Sequence, residues 1–391
     1  MKPAVPPKLP IEGLNWESLI PACGRANRAL ARFDGILNHL RNPDLLKTPL
    51  TTREAVLSSK IEGTVVTVGE VFRFEAGDEP QQESKRLDIE EIVNYRAALR
   101  AAEDELQRRP FSLNFVLRLH KVLLNSVRGY NKAPGAFRRF QNHIGRPGST
   151  IEEAEFVPPS PEALKDALGV WETYYHSDEK DVLVQLAIIH AQFEFLHPFL
   201  DGNGRIGRIL VPIFLYNKEI LSSPTFYLSE YLEEHRDEYI GRLRALGQSP
   251  TAWTDWCQFF LEAISVQAER NATKVTAILD LYERLKLQLI EGSNSKYAVP
   301  LLDAMFVQPI FHAGSLLGQE AMPQRIVLMR LLARMVEGKM LRILRPASGR
   351  RPAIYSLADL VTLCESTPGR QRRNPRTGIT VARPANRRYG G

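Results

Sequence analysis

The chain has 391 residues, 44% hydrophobic and 25% charged side chains, 51 Lys and Arg against 45 Asp and Glu, and three cysteines. That length and apolar content supply a core for two or three domains and exclude disorder throughout, while Cys23, Cys257 and Cys364 are too few and too scattered for a disulfide framework or a zinc cluster. No window reaches the roughly 18 apolar residues of a membrane span, and the proline-rich start MKPAVPPKLP lacks the apolar core of a signal peptide, so the sequence predicts a cytoplasmic protein without a membrane partner.

Apolar residues recur at three- and four-residue spacing through most of the first 290 positions, which predicts an all-α architecture. Expected helices run over 18–40, 51–62, 84–106, 112–127, 161–175, 181–196, 205–220, 230–246 and 252–290, the fifth of them starting with Ser160 ahead of Pro161. Residues 137–159, within GAFRRFQNHIGRPGSTIEEAEFVPP (135–159), break the helical pattern with Gly, Pro and short β-prone runs and predict a small β-hairpin. After EGSNSKYAVP, short helices are expected at 299–307, 313–318 and 323–337, then two strands around a basic turn in LRILRPASGRRPAIYSL, the order of a winged-helix-like α+β module. The predicted organisation is an N-terminal helical segment (1–48), a main helical domain (49–290), the winged-helix-like module (298–365) and a basic disordered tail (366–391). The formal charge of +6 resides in that tail: its seven arginines and no acid leave about −1 for the rest.

The stretch richest in chemistry is HPFLDGNGRIGR, His197 to Arg208, between two apolar helices. Gly202, Asn203 and Gly204 reach backbone conformations closed to β-branched residues, so successive N–H groups can converge on an anion. The helix that follows adds its unpaired N–H groups and positive dipole end, and a cation beside that end is unfavourable unless an anion shares the site. Arg205 and Arg208, three apart, are expected to grip a polyphosphate from one face. Asp201 is a hard oxygen ligand suited to Mg²⁺ shared with phosphates, and a neutral His197 can accept a hydroxyl proton. General base, metal ligand, anion nest and cationic clamp are the parts for moving a phosphoryl or nucleotidyl group to a hydroxyl. His190 and Glu194, four apart upstream, lack the further ligands of a metal site and read as a satisfied buried hydrogen-bonding pair.

The segment resembles the HPFxDGNGRxxR signature of the Fic (Fic/DOC) family at every fixed position, and the likeness extends over roughly residues 50–265. Most characterised members transfer AMP from ATP to a Ser, Thr or Tyr hydroxyl of a target protein. The resemblance therefore implies an adenylyltransferase in which His197 deprotonates the hydroxyl, Asp201 holds Mg²⁺, and Gly202, Asn203, Gly204, Arg205, Gly207 and Arg208 contact ATP, with Phe199 as the buried anchor of the loop. It also implies that Ser58, Glu62 and Gly63, at the end of TTREAVLSSKIE, form the inhibitory motif of class II members, Glu62 occupying the arginine that the γ-phosphate requires. The hairpin would be a flap that takes a target segment by strand addition. Tyr239 and Tyr231 are the candidates for enclosing adenine, with Gly247 where some relatives place an asparagine.

Other readings stay open. The arginines of the C-terminal module (Arg325, Arg330, Arg334, Arg342, Arg345, Arg350, Arg351) allow DNA contact, protein contact or a homodimer. The competing functional class is a DNA-binding regulator whose loop senses a nucleotide, and a kinase-type reaction, another nucleotide donor or removal of AMP are alternatives within the enzyme class.

Overall fold

The computed structural model describes residues 2–366 apart from 40, 41, 126, 127, 129, 147, 247, 250 and 294; Gly247 and the basic tail from 367 onward lie outside the described residues. Helix α1 (Trp16–Asn38) is followed by α2 (Asp44–Ile61), α3 (Val68–Glu75), α4 (Glu83–Leu106) and α5 (Leu113–Leu123). After an irregular stretch come α6 (Pro161–His176), α7 (Val182–Leu196), α8 (Asn203–Asn217), α9 (Ser229–Glu234), α10 (Arg236–Ala245) and the long α11 (Ala252–Ser293). A smaller C-terminal group holds α12 (Ala298–Val307), β1 (Ile310–His312), α13 (Ala313–Leu316), α14 (Arg325–Glu337), β2 (Arg342–Arg345), β3 (Ile354–Ser356) and α15 (Ala358–Glu365).

The mainly helical architecture matches the sequence expectation, and the differences have local causes. Helix α2 starts earlier than expected, at residue 44, and the expected helix 112–127 ends at 123. The expected helix 230–246 is two, because the backbone at His235 leaves helical geometry (φ −110°, ψ 32°) while its Nδ1 approaches the Tyr231 carbonyl at 2.9 Å. Helix α3 was not expected, although Thr67 and Glu70 form a reciprocal capping box at its start. The hairpin expected at 137–159 reduces to one antiparallel bridge, Ile144 to Phe156; glycines and prolines at the turn and after it leave few residues able to extend a ladder. In the C-terminal group β1 adds a third strand, giving the antiparallel order β1-β3-β2.

Two helices form the centre. Helix α7 is apolar around its whole circumference, so it is buried on all sides, and Trp171 and Trp256 donate their indole N–H groups to its carbonyls at Ile189 (2.9 Å) and Ala187 (2.8 Å). Helix α8 runs beside it, and the turn between them can move little. Helix α11 packs along α1 and reaches both α7 and the C-terminal helices. A buried polar network fixes α2 from behind. Arg53 meets Glu230 at 2.6 Å and donates to the Cys364 carbonyl, while Glu54 accepts from Tyr95 (3.0 Å) and Ser229 (2.5 Å). The end of α15 is thereby tied to α2. Among the described residues the three cysteines are free and buried, and no helix is long and apolar enough to cross a membrane.

Candidate active site

The turn 197–202 is shaped by a helix that must stop and another that must start. Pro198 cannot continue α7, and His197 takes a left-handed conformation (φ 45°, ψ 59°) as its C-cap. That geometry costs a non-glycine residue about 1–2 kcal/mol. Phe199 offsets it: the ring is fully buried, stacked on His120 at 3.7 Å and beside Phe137 at 5.3 Å, and such burial contributes about 1.5–3 kcal/mol. Asn203 closes the turn by accepting from the Phe199 N–H (2.8 Å) and donating to the Phe199 carbonyl (2.9 Å). Gly202 caps α8 at φ 77°, where a side chain would be strained and its Cβ would come within 3.3 Å of Leu123.

His120 braces the turn from below. Its Nδ1 accepts the Gly135 N–H (3.0 Å), which leaves Nε2–H to donate to the Asp201 carbonyl (3.0 Å). Burial lowers its pKa to about 4, so the ring stays neutral.

A cleft of about 460 Å³ opens over the turn, lined by Glu62, Asp88, Glu91, His197, Asp201 and Gly202 to Arg205. The first N–H groups of α8 lack intrahelical acceptors and face this end of the helix. Burial lowers the His197 pKa to about 4; the Glu194 carbonyl, Glu62 and Asp201 pull it up, and Arg138 pushes it down. The imidazole is therefore unprotonated at neutral pH, with its Nδ1 buried. Asp201 keeps 43% of its side chain exposed, and its Oδ1 accepts from the Gly202 N–H (2.6 Å) and Arg205 (3.4 Å). Among the described residues no three His, Cys, Asp or Glu side chains gather as a metal cage. One hard carboxylate at a phosphate-sized cleft fits a Mg²⁺ that completes its shell with phosphate oxygens and water.

The two arginines point to different walls. Arg208, 2% exposed, donates to Glu62 at 2.6 Å, to the Ser58 hydroxyl at 2.8 Å and to the Ser58 carbonyl at 3.0 Å. Burial alone would raise the Glu62 carboxyl, but the Arg208 charge and hydrogen bond outweigh it and hold the group below its usual range. Gly63 ends α2 at φ 100° and turns Glu62 toward the cleft. Arg205 instead meets Glu91 of α4 at 3.2 Å and Asp201, and Arg128 joins the same acidic wall at Asp88 (2.5 Å) and Glu91 (3.4 Å).

Several expected site residues lie elsewhere. Gly207 faces α7 and not the cleft: a Cβ there would overlap the Glu194 carboxylate, and its carbonyl meets His190 Nδ1 at 3.2 Å. The Asn203 side chain is spent on Phe199, as above. Tyr239 is buried with its hydroxyl 2.9 Å from His190 Nε2, Tyr231 stacks on His235 at 4.0 Å, and neither lines the cleft. Sequence reasoning missed His120, Asp88, Glu91, Arg128 and Arg138, which arrive from distant elements without a local motif. It also read Glu194 as satisfied, whereas Oε1 is buried without a hydrogen-bond partner and burial raises its pKa to about 7.

A left-handed histidine, an asparagine-closed glycine turn and a buried arginine in the first turns of a helix define the class, a helical fold built around a glycine-containing loop at a helix start. Residues 20–104 match the family description "Fic/DOC family N-terminal" and residues 110–215 match "Fic/DOC family". The chain belongs to the Fic/DOC family. It is 23% identical over 283 residues to the "Probable protein adenylyltransferase" of Aquifex aeolicus, covering 68% of this chain and 81% of that protein. It is 30% identical over 113 residues to the protein adenylyltransferase Fic of Drosophila grimshawi, covering 28% of this chain and about a fifth (21%) of that protein. A Fic family protein from Desulfovibrio desulfuricans G20 shares the fold with a TM-score of 0.55 at 20% identity, covering 90% of this chain and 98% of that one. Fic-1 from C. elegans superimposes with a TM-score of 0.51 at 18% identity, over 68% of this chain and 75% of that one.

Proposed function

We propose that the protein is a Mg²⁺-dependent adenylyltransferase that transfers AMP from ATP to a hydroxyl side chain of a target protein and is restrained by its own Glu62. The target oxygen attacks the α-phosphorus, the bond from that phosphorus to the β-phosphate oxygen breaks, pyrophosphate leaves, and the hydroxyl proton passes to the His197 imidazole. At neutral pH the His197 imidazole is unprotonated and free to accept the proton, although a pKa of about 4 makes it a weaker base than one poised near 7. The N–H groups at the start of α8 would hold phosphate oxygens, and Arg208 the γ-phosphate. When bound at Asp201, Mg²⁺ would neutralise phosphate charge and stabilise the leaving pyrophosphate.

The observation that carries this reading is the 2.6 Å pair between Glu62, which lines the loop's cleft, and a buried Arg208 directly behind it. A carboxylate held at the cleft wall in front of that cation keeps an anionic ligand away from it. The curated relatives bear adenylyltransferase names, which supports AMP as the group moved. In this reading residues 49–290 are the catalytic domain, the bridged segment 137–159 is the flap that takes a target strand, and the setting is cytoplasmic. The test uses ATP labelled at the α or the γ phosphate with wild type, Glu62→Gly and His197→Ala in a host lysate. Protein-bound α label that depends on His197 supports AMP transfer; γ label alone means a kinase.

The helix–strand–helix–helix–strand–strand order of residues 298–356, followed by α15, supports a winged-helix reading of that module. Exposed arginines at 325, 330, 342, 350 and 351 favour duplex DNA as a second ligand. Affinity falling steeply with salt is expected; no binding at low salt removes the idea.

A further inference from the structure

Arg138 is an arginine with almost no exposure (3%) and, among the described residues, no carboxylate within ion-pair distance. Its hydrogen bonds all go to backbone carbonyls, three of them around His197. Its own N–H donates to the Pro198 carbonyl (2.9 Å) and Nε to the His197 carbonyl (2.9 Å). Nη2 donates to the Pro159 carbonyl and, at 3.4 Å, to that of Leu196, while Nη1 reaches the Phe140 carbonyl at 3.4 Å. One residue thus holds the carbonyls of three successive positions, 196, 197 and 198, as well as both arms of the bridged segment.

The Leu196 carbonyl is one that the last turn of α7 leaves without a helical donor, and those of His197 and Pro198 follow directly after the helix, at the negative end of its dipole, where a cation is favourable. His197 sits there in a left-handed conformation that its own side chain disfavours. A guanidinium, planar and rich in donors, can span several carbonyls at fixed angles; an ammonium cannot.

We infer that Arg138 is a positioning residue that locks the His197 backbone, and with it the imidazole, and that it couples this lock to the flap through Pro159 and Phe140. The inference rests on the reading of His197 as general base. A target strand that settles the flap settles the carbonyls on either side of Arg138, so the imidazole is best placed when a target is present. The exposed neighbour Arg139 has no part in this.

The test compares Arg138→Ala, Arg138→Lys and Arg139→Ala in the full-length Glu62→Gly chain. Measured are kcat and KM for ATP with α-labelled ATP, the calorimetric affinity for ATP with Mg²⁺, and NMR of ¹⁵N-labelled histidine, the His197 signals being identified by their loss in His197→Ala. Arg138→Ala is expected to lower kcat about 100-fold, the effect of a misplaced catalytic group, with ATP affinity near that of the parent and displaced His197 ring signals. Arg138→Lys should fall between and Arg139→Ala should match the parent; if the alanine variant does not fold, the lysine variant carries the test. Unchanged kcat, or equal losses of kcat, ATP affinity and thermal stability, overturn the inference. If the Glu62→Gly parent transfers no AMP, the adenylyl-transfer reading fails, and the histidine signals still decide the matter: unmoved His197 resonances in Arg138→Ala contradict it.

Discussion

Replacing Glu62 by glycine removes the carboxylate that Arg208 holds at 2.6 Å while leaving α2 intact, because residue 62 is the helix C-cap and no helical turn depends on its side chain. Arg208 keeps Ser58, so it stays partly paired and buried. A hydrogen bond between charged groups contributes about 1.5–3 kcal/mol when shielded from water. The Glu62 side chain is 47% exposed, and solvent screening discounts the pair to about 1–2 kcal/mol. An ATP γ-phosphate competing for Arg208 must overcome that amount, so its removal raises AMP transfer at limiting ATP by about 5- to 30-fold. Glu62→Gln, which keeps the size and loses the charge, should give an intermediate gain. The assay is incorporation of α-labelled AMP into host proteins or the enzyme itself, with thermal melting alongside to register the lost pair. Equal rates for wild type and Glu62→Gly, with both able to bind ATP, would refute the reasoning.

The pH profile of AMP transfer by Glu62→Gly should be flat from pH 6 to 8 and fall only as pH approaches about 4, where His197 protonates; removing Glu62 takes away a negative charge and shifts the limb lower still. An acid limb near 6.5, the value of an unperturbed imidazole, would contradict the buried-base geometry. Glu194, with its pKa raised to about 7, favours the folded state most when protonated, so wild type loses stability as pH rises from about 4.5 through 7. Glu194→Gln should therefore gain on wild type over that window by up to about 3 kcal/mol, read from urea unfolding at pH 5 and pH 8; a pH-independent difference would count against it. Arg53→Ala strips a buried carboxylate, Glu230, of its salt bridge and α2 of its tie to Cys364, and should cost about 3–5 kcal/mol in the same assay. A loss below about 1 kcal/mol would show that the network is redundant.

The loop was legible because its signals are local: proline after the buried helix, glycine where a positive φ is required, arginine in the first turn that follows. Glu62 was legible through a short motif ending in Gly63, although 146 positions separate it from Arg208. What could not be read comes from long-range packing. His120, Glu91 and Arg138 reach the site from α5, α4 and the flap, and nothing adjacent to them in the chain announces a partner. Gly207 faces α7, and the Asn203 side chain holds the turn while its backbone stays at the cleft: a motif names the residues a loop requires without separating those that face a ligand from those that hold the turn. The flap was overread as a hairpin because β-prone residues were weighed more heavily than the prolines and glycines that interrupt pairing.

A crystal of Glu62→Gly grown with ATP and Mg²⁺ addresses the account most directly. Triphosphate density should run along the start of α8, with the γ-phosphate on Arg208, a cation between Asp201 and the phosphates, and the α-phosphorus facing the His197 ring. Density elsewhere, or a nucleotide whose α-phosphate is turned away from His197, would contradict it.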